Sequence, residues 1–283
     1  MKKKGNFTTI ILILILVIGL SLLLYPTISE WWNERHQARA ISLFSEQLAQ
    51  IDDDQYVEIW ENAKAYNEGL NLRENPYVVP DELAYYGQLS ISENQPMGYV
   101  EIPLIDTKLA IYHGTSDAVL QVAVGHIDWS SLPTGGESTH CVLSGHRGLP
   151  AARLFTDLDK LQVGDLFYLW ILDEKLTYEV DQILIVEPYD TEALIVEPGK
   201  DLCTLVTCTP YSVNTHRMLV RGHRVENEAE SVIVRVTADA LQIEPLLIAI
   251  ILFVPTLLLF LLIARFFTPK KRKKTRDAKI PHH

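Results

Sequence analysis

A cysteine and an arginine lie at the two ends of a short polar loop in residues 204–224, which read TLVTCTPYSVNTHRMLVRGHR. Apolar and β-branched residues before Cys208 and after Arg217 predict two strands, and the turn formers between them predict a loop. If the strands pair antiparallel, the Cβ atoms of Cys208 and Arg217 face each other at roughly 5 Å. Because cations favour the reactive thiolate, this pair is a candidate nucleophile site.

Nine histidines offer candidate bases. His36 lies in a predicted N-terminal helix and two others end the chain, so these three are poorly placed to work with Cys208. His113, His126 and His146 lie near turns, and His146 follows a predicted strand in CVLSGHRGLP, where a strand opens into a loop. Spacing alone does not rank these three, and each one taken alone has a structural alternative.

The remaining cysteines and a second arginine have different expected roles. Cys141 and Cys203 fall inside predicted strands and are expected to be small buried hydrophobes. Cys203 and Cys208 are an odd number of positions apart, so they face opposite sides of one strand. Arg221 shares a face with Arg217 and is the alternative cation. Neither a disulfide framework nor a zinc site is indicated by three cysteines at this spacing, and no cofactor is expected.

Two long apolar runs predict membrane spans at residues 7–25 and 245–264. Each is about 30 Å long as a helix, which is enough to cross the hydrocarbon layer. The first run could instead be a cleaved secretory signal, but the lack of a small-residue cleavage site favours an anchor. Basic residues before the first run and after the second predict a two-pass protein with both termini cytoplasmic and the intervening segment outside the cell.

The segment between the predicted spans is strongly acidic. The two termini hold 11 of the 25 basic residues and one of the 36 acidic residues, which leaves 14 basic and 35 acidic residues between them. Such a surface makes nucleic acid an improbable partner. A lysine-bearing protein would instead be attracted to it.

The order of the elements predicts a mainly β domain. Residues 26–70 have helical periodicity with a break at residues 52–54, and residues 71–90 are proline-containing and predicted to be a loop. Seven short β-rich runs follow, without long helices between them, which is typical of an antiparallel barrel or sandwich. The seven runs are residues 98–102, 109–112, 140–144, 166–172, 176–186, 202–208 and 217–225. Brief helical turns are predicted at residues 117–124, 154–161 and 191–195.

Three motifs in this order resemble the sortases, specifically the pilus-polymerising class C sortases: GYVEIPLIDTKLAIYHGTSDAVLQVAVGH, LSGHRGLPAARLFTDLDKL and TLVTCTPYSVNTHRMLVRG. The resemblance implies a sortase-type closed β-barrel of seven to eight strands, with N-terminal helices and short helical turns, flanked by two transmembrane helices. It implies that Cys208 is the nucleophile, His146 the general acid/base and Arg217 the cation that stabilises the oxyanion. His126 matches a recurrent family position outside the catalytic set.

The apolar runs, the helical periodicity, the flanking charges and the resemblance together divide the chain into segments. These are a cytoplasmic N-terminus 1–6, a transmembrane helix 7–25, extracytoplasmic helices 26–70, a lid loop 71–90, a catalytic barrel 91–226, a linker 227–244, a transmembrane helix 245–264 and a basic cytoplasmic tail 265–283. Class C sortases usually carry an Asp-Pro-aromatic triplet in the lid. Here the lid offers Asn-Pro-Tyr and Val-Pro-Asp instead, so Tyr77 and Asp81 are the candidate lid contacts.

The activity implied by the resemblance is transpeptidation on the outer face of a Gram-positive cell. An LPxTG-like sorting signal of a pilin would be cleaved between Thr and Gly, and the Thr carbonyl would be joined to a Lys amine of another pilin. The expected partners are therefore pilins and the cell membrane. Two alternatives remain at this point: anchoring of surface proteins to a cell-wall precursor amine, and a non-catalytic membrane-anchored scaffold for pilus assembly.

Overall fold

The computed structural model describes residues 4–79, 81–92 and 95–227 of the chain. The predicted second span, most of the predicted linker before it and the predicted basic tail lie outside the described residues. The chain divides into two units between Ile28 and Ser29, and the unit that begins at Ser29 contains the barrel.

The first helix, α1, is a single element that extends over Lys4–Leu48 and includes Pro26. The predicted boundary at residue 25 is therefore not a helix end. Within the part of the chain that the structure describes, one helical stretch, Ile10–Leu48, is long and apolar enough to cross a membrane. This finding is consistent with an N-terminal membrane anchor, although a signal sequence meets the same criteria.

The second helix, α2, covers Asp53–Asn71 and confirms the predicted break in the acidic run. Asp52 is its N-cap, because the Asp52 side chain accepts the backbone N–H of Gln55 at 2.8 Å. Asn67, on the buried face of α2, donates to the carbonyl oxygen of Leu132 and accepts the Leu132 N–H. These paired bonds fix α2 against the loop between the third and fourth strands.

The β-rich part of the chain forms a closed barrel of eight strands, which confirms the closed barrel that the resemblance implies and adds β3 to the seven predicted runs. The strands are β1 Gly98–Ile102, β2 Thr107–His113, β3 Val124–His126, β4 Thr139–Ser144, β5 Leu166–Ile171, β6 Glu174–Val186, β7 Asp201–Thr209 and β8 His216–Val225. Their order around the barrel is β1-β2-β3-β4-β7-β8-β6-β5, and β5 pairs back to β1. The barrel is not wholly antiparallel as predicted, because the pairs β2/β3 and β4/β7, which are joined by crossover connections, are parallel. The other pairs are antiparallel.

Two short elements correct the sequence-based interpretation. Residues 71–90 are not entirely a loop, because a helix α3 forms at Glu82–Tyr86 where Asp81 accepts the N–H groups of Leu83 and Ala84. The helical turn predicted at residues 117–124 is limited to α4, Asp117–Leu120, and the chain then enters β3. β3 has only three residues, too few to show an alternating pattern.

The strands around Cys208 are buried on both faces. Alternate residues of β4 and β7 face the barrel interior, where Cys141 and Cys203 belong to the main hydrophobic core. The other residues face outward, where Val142, Val206 and Leu219 form a smaller apolar cluster. This arrangement explains why six consecutive residues of β7, from Leu202 to Thr207, are buried.

Candidate active site

Cys208 and Arg217 are direct neighbours across the β7–β8 pair. Their Cα atoms are register partners in the antiparallel ladder, next to the last pair, Thr209 and His216. The ladder thus has the register that the hairpin predicts. Cys208 is partly exposed, whereas Cys141 and Cys203 are buried.

His146 follows directly from the strand on the other side of β7. β4 is parallel to β7, with Ser144 beside Val206. Beyond Ser144, the Gly145 N–H donates to the Val206 carbonyl at 3.0 Å, and the Thr207 hydroxyl donates to the Gly145 carbonyl at 2.8 Å. These bonds carry the β4 register one residue further, so His146 enters its loop at the level of Cys208.

Arg147 ties the loop after β4 to its surroundings. Its Nη2 forms an ion pair with Asp159, and its Nη1 lies 3.4 Å from the hydroxyl oxygen of Thr209, the neighbour of Cys208. The carbonyl of His146 accepts the N–H of Phe155 at 3.1 Å. The loop backbone at His146 is therefore fixed to β7 on one side and to the segment around Phe155 on the other.

The two arginines of β8 have different environments. The Nη1 of Arg217 donates to the carbonyl oxygens of His216 at 3.1 Å and Asn214 at 3.4 Å. Arg221 instead forms ion pairs with Asp181 and Glu197, and the hydrogen bond to Asp181 raises the pKa of Arg221. The Arg221 donors are occupied by carboxylates, which disfavours the alternative in which Arg221 is the catalytic cation.

The other candidate histidines are tied into the framework. The Nδ1 of His126 lies 2.9 Å from the hydroxyl of Tyr85, and its Nε2 lies 2.8 Å from the carbonyl oxygen of Ser131. His113 has its Nε2 2.7 Å from the carbonyl oxygen of Gln88, and burial lowers the pKa of His113 to about 4. Both rings have partners that suit the structural alternative.

The interior cysteines are buried, as predicted, and they also face each other. Cys141 on β4 and Cys203 on β7 are Cα partners in the parallel ladder, and both are free thiols. Burial raises the pKa of the Cys203 thiol. This parallel pairing joins strands about sixty residues apart, so the sequence reasoning could not find it.

The candidate lid residues differ in what they contact. The ring of Tyr77 packs edge-on against Trp129 with 5.2 Å between ring centroids, so Tyr77 joins the predicted lid to the barrel. Asp81 caps α3, and among the described residues its side-chain contacts are local. Sequence reasoning missed Arg73, which donates to the carbonyl oxygens of Leu70 at 2.9 Å and Trp129 at 3.1 Å and also to that of Val78.

An apolar cluster lies beside Cys208 and Arg217 on the outside of the barrel. Val206 and Leu219 belong to it and lie two positions along β7 and β8 from Cys208 and Arg217, respectively. They pack with Leu194, which lies in the connection between β6 and β7, and the side chain of Trp129 packs against the same cluster.

A closed barrel that carries a partly exposed thiol, Cys208, paired with the guanidinium of Arg217 defines a class of protein suited to thiol chemistry. The sortase domain family matches residues 100–225. Sortase C1 of Streptococcus agalactiae is 51% identical, with a TM-score of 0.65, covering 67% of this chain and 100% of that one. Sortase C of Streptococcus pneumoniae is 44% identical, with a TM-score of 0.60, covering 68% and 98%.

Among curated relatives, sortase D of Bacillus subtilis is 34% identical over 134 residues, which are 46% of this chain and 65% of the relative. The chain thus spans slightly less than two thirds of that relative. The chain belongs to the sortase family, and its structural neighbours are class C sortases.

Proposed function

We propose that this protein is a membrane-anchored cysteine transpeptidase that polymerises pilins. The observation that carries the proposal is the register pairing of Cys208 with Arg217, beside the strand that leads into His146. In the first step, the Cys208 thiolate attacks the carbonyl carbon between Thr and Gly of an LPxTG-like sorting signal. Arg217 donates to the oxyanion that forms, because a guanidinium remains charged throughout the reaction.

His146 completes the first half-reaction as the general acid. It donates a proton to the leaving Gly nitrogen, so that the C–N bond breaks and a thioester to Cys208 remains. In the second half-reaction a Lys amine of another pilin attacks the thioester carbonyl. His146 then accepts a proton from that amine, the C–S bond breaks and an isopeptide bond forms.

The pilin substrate is supported by the class of the structural neighbours. The sortase C of Streptococcus pneumoniae has been described in terms of its pilin substrate specificity. The acidic charge between the predicted spans suits a partner that presents a lysine. The proposed location is the outer face of the cell membrane, with both termini cytoplasmic.

The test incubates the full-length protein, in detergent, with a pilin that carries its sorting signal. We expect wild type to form a thioester intermediate and a ladder of linked pilins, whereas Cys208→Ala forms neither. The intermediate is detected by mass spectrometry, and hydroxylamine releases it. Ladders made by Cys208→Ala would contradict the proposal and favour a non-catalytic scaffold.

A second arm identifies the acceptor. The thioester intermediate is offered a pilin or a soluble analogue of a cell-wall precursor amine, at matched concentrations. We expect the pilin lysine to be used, and isopeptide-linked peptides identify it. Transfer to the cell-wall amine alone would replace pilus polymerisation with surface-protein anchoring.

A further inference from the structure

Cys141 and Cys203 lie side by side in the interior of the barrel. They are Cα partners in the parallel ladder of β4 and β7, so their Cα atoms are about 5 Å apart, the spacing of neighbouring strands. Disulfide bonds join Cα atoms that are roughly 4.4 to 6.8 Å apart. The pair therefore has the backbone spacing that a disulfide requires, without movement of either strand.

The side chains of this pair also point in the same direction. Partners in a ladder project to the same face of the sheet, and both cysteines belong to the main hydrophobic core. Burial raises the pKa of the Cys203 thiol, and the Cys141 thiol beside it raises that pKa further. Two thiols therefore meet inside the barrel, where the catalytic mechanism uses neither of them.

The third cysteine of the chain lies on the opposite side of the same strand. Cys208 follows Cys203 by five residues on β7 and shares the alternation of Val206, which packs in the outer apolar cluster. Cys208 is also partly exposed, whereas the interior pair is buried. A bond between Cys141 and Cys203 therefore leaves the Cys208 thiol free, and the folded barrel keeps that thiol away from the bond.

A bond between the interior cysteines would link the two strands that lead to the candidate site. β7 continues from Cys203 to Cys208, and β4 continues from Cys141 towards the loop of His146. The two cysteines are about sixty residues apart in the chain, and a cross-link that closes a long loop restricts the unfolded chain more than one that closes a short loop. The bond would thus stabilise the pairing of β4 with β7, which sets the level of His146.

We propose that Cys141 and Cys203 form a structural disulfide in the barrel interior, made while the chain folds outside the cytoplasm. The location rests on the proposed function, whereas the bond itself rests on the register of β4 and β7. Thiols outside the cytoplasm are exposed to oxidants. Because the two residues are only 2% and 0% exposed in the folded barrel, oxidation takes place before the barrel closes.

The bond forms by two successive thiol–disulfide exchanges with an external disulfide. One cysteine thiolate attacks a sulfur of the external disulfide, which gives a mixed disulfide and releases one external thiol. The second cysteine thiolate attacks the protein sulfur of that mixed disulfide, and the second external thiol leaves. The two cysteines lose two protons and two electrons, which convert the external disulfide into two thiols.

The first experiment maps the thiols of the full-length protein isolated from membranes in detergent. N-ethylmaleimide, present throughout, labels accessible thiols and stops exchange, and iodoacetamide is added after unfolding in urea. We expect mass spectrometry of the unreduced digest to show Cys208 labelled by N-ethylmaleimide and the peptides of Cys141 and Cys203 linked to each other. Interior cysteines that both carry the iodoacetamide label, or a bond that includes Cys208, would overturn the inference.

The second experiment compares thermal unfolding with and without a phosphine reductant. We expect the reductant to lower the Tm of wild type by about 5 °C or more, because the reduced chain regains its conformational freedom when it unfolds. Cys141→Ala and Cys203→Ala should each have a Tm that the reductant does not change, even if lost packing lowers that Tm. Cys208→Ala is the matched control and should respond as wild type does.

The outcomes separate this inference from the proposed function. Neither experiment needs a sorting-signal peptide, so a wild type that forms no thioester would reject the proposed function and leave the disulfide to be judged by its own results. A wild-type Tm that does not respond to the reductant would contradict the disulfide, and Cys141 and Cys203 would then be two small buried hydrophobic residues. An equal response in Cys141→Ala and wild type would contradict it as well.

Discussion

Arg217 and Arg221 lie on one face of one strand, yet their partners give them different expected effects on stability. Arg217 donates to the carbonyl oxygens of His216 and Asn214, which belong to its own loop. Arg221 bridges two carboxylates of other elements, so its removal takes a cation away from both of them. Arg217 is therefore free to interact with a substrate oxyanion at little structural cost.

We expect Arg217→Lys to slow thioester formation by about 10²-fold or more, the effect of removing one oxyanion donor. The free energy of unfolding should change by less than about 1 kcal/mol, because only hydrogen bonds within a partly exposed loop are lost. Single-turnover kinetics and urea unfolding measure the two quantities. A large loss of stability at normal turnover would assign Arg217 a structural role.

The residues of the site differ in how far the sequence could place them. The Cys208–Arg217 pair is predictable, because both residues belong to one hairpin whose register follows from the loop. The level of His146 depends on the parallel pairing of β4 with β7, which joins residues far apart in the chain. Spacing therefore did not decide which of His113, His126 and His146 is the general acid/base, and only the resemblance selected His146.

At the scale of elements, Arg73 and His113 attach the predicted lid and the segment after α3 to the barrel. Arg73 binds carbonyl oxygens of α2, of the lid and of Trp129 on the barrel side. Each charged hydrogen bond contributes about 1.5 to 3 kcal/mol. Sequence reasoning missed this contact, because a backbone carbonyl leaves no signal in the sequence.

We expect Arg73→Ala to open the predicted lid and to raise the rate of Cys208 alkylation by about fivefold or more, since 1 to 2 kcal/mol shifts a population by that factor. Lys64→Ala is the matched control, because Lys64 lies on α2 and pairs with Glu61 on the exposed surface. An unchanged rate in Arg73→Ala would mean that Arg73 does not limit access to the thiol.

His113, at the end of β2, lies with its Nε2 2.7 Å from the carbonyl oxygen of Gln88, just after α3. Burial lowers the pKa of His113 to about 4, so the folded state keeps the ring neutral at pH values where the unfolded chain, with a pKa near 6.5, becomes protonated. The contribution of His113 to stability is complete above about pH 6.5. It declines as the pH falls towards 4, by up to about 1.4 kcal/mol per pH unit.

Urea unfolding of the full-length protein between pH 7.5 and 4.5 measures this dependence. We expect His113→Gln to be less stable at neutral pH but to lose stability less steeply on acidification. His223→Gln should keep the wild-type slope, because His223 is an exposed residue of β8. His140, whose pKa is also lowered by burial, accounts for part of the slope that remains. An identical slope in His113→Gln and wild type would contradict the assignment.

For the whole molecule, the barrel was predictable because its strands carry clear β-rich runs, but its short elements were not. β3 has three residues, and α3 depends on the cap that Asp81 provides. The membrane arrangement is a separate inference from apolar runs and basic flanks. The described residues contain the first of the two predicted spans, within α1, and the predicted second span lies outside them.

The two-pass prediction is tested with alkaline phosphatase, which is active only outside the cytoplasm. We expect a fusion after Asn227 to be active, because it follows the barrel, and a fusion after His283 to be inactive, because basic residues hold that end inside. An epitope tag at the N-terminus should remain on the membrane-bound protein, whereas signal cleavage would remove it. An active fusion after His283 would leave the chain with a single span, and the proposed enzyme would then be anchored only through α1.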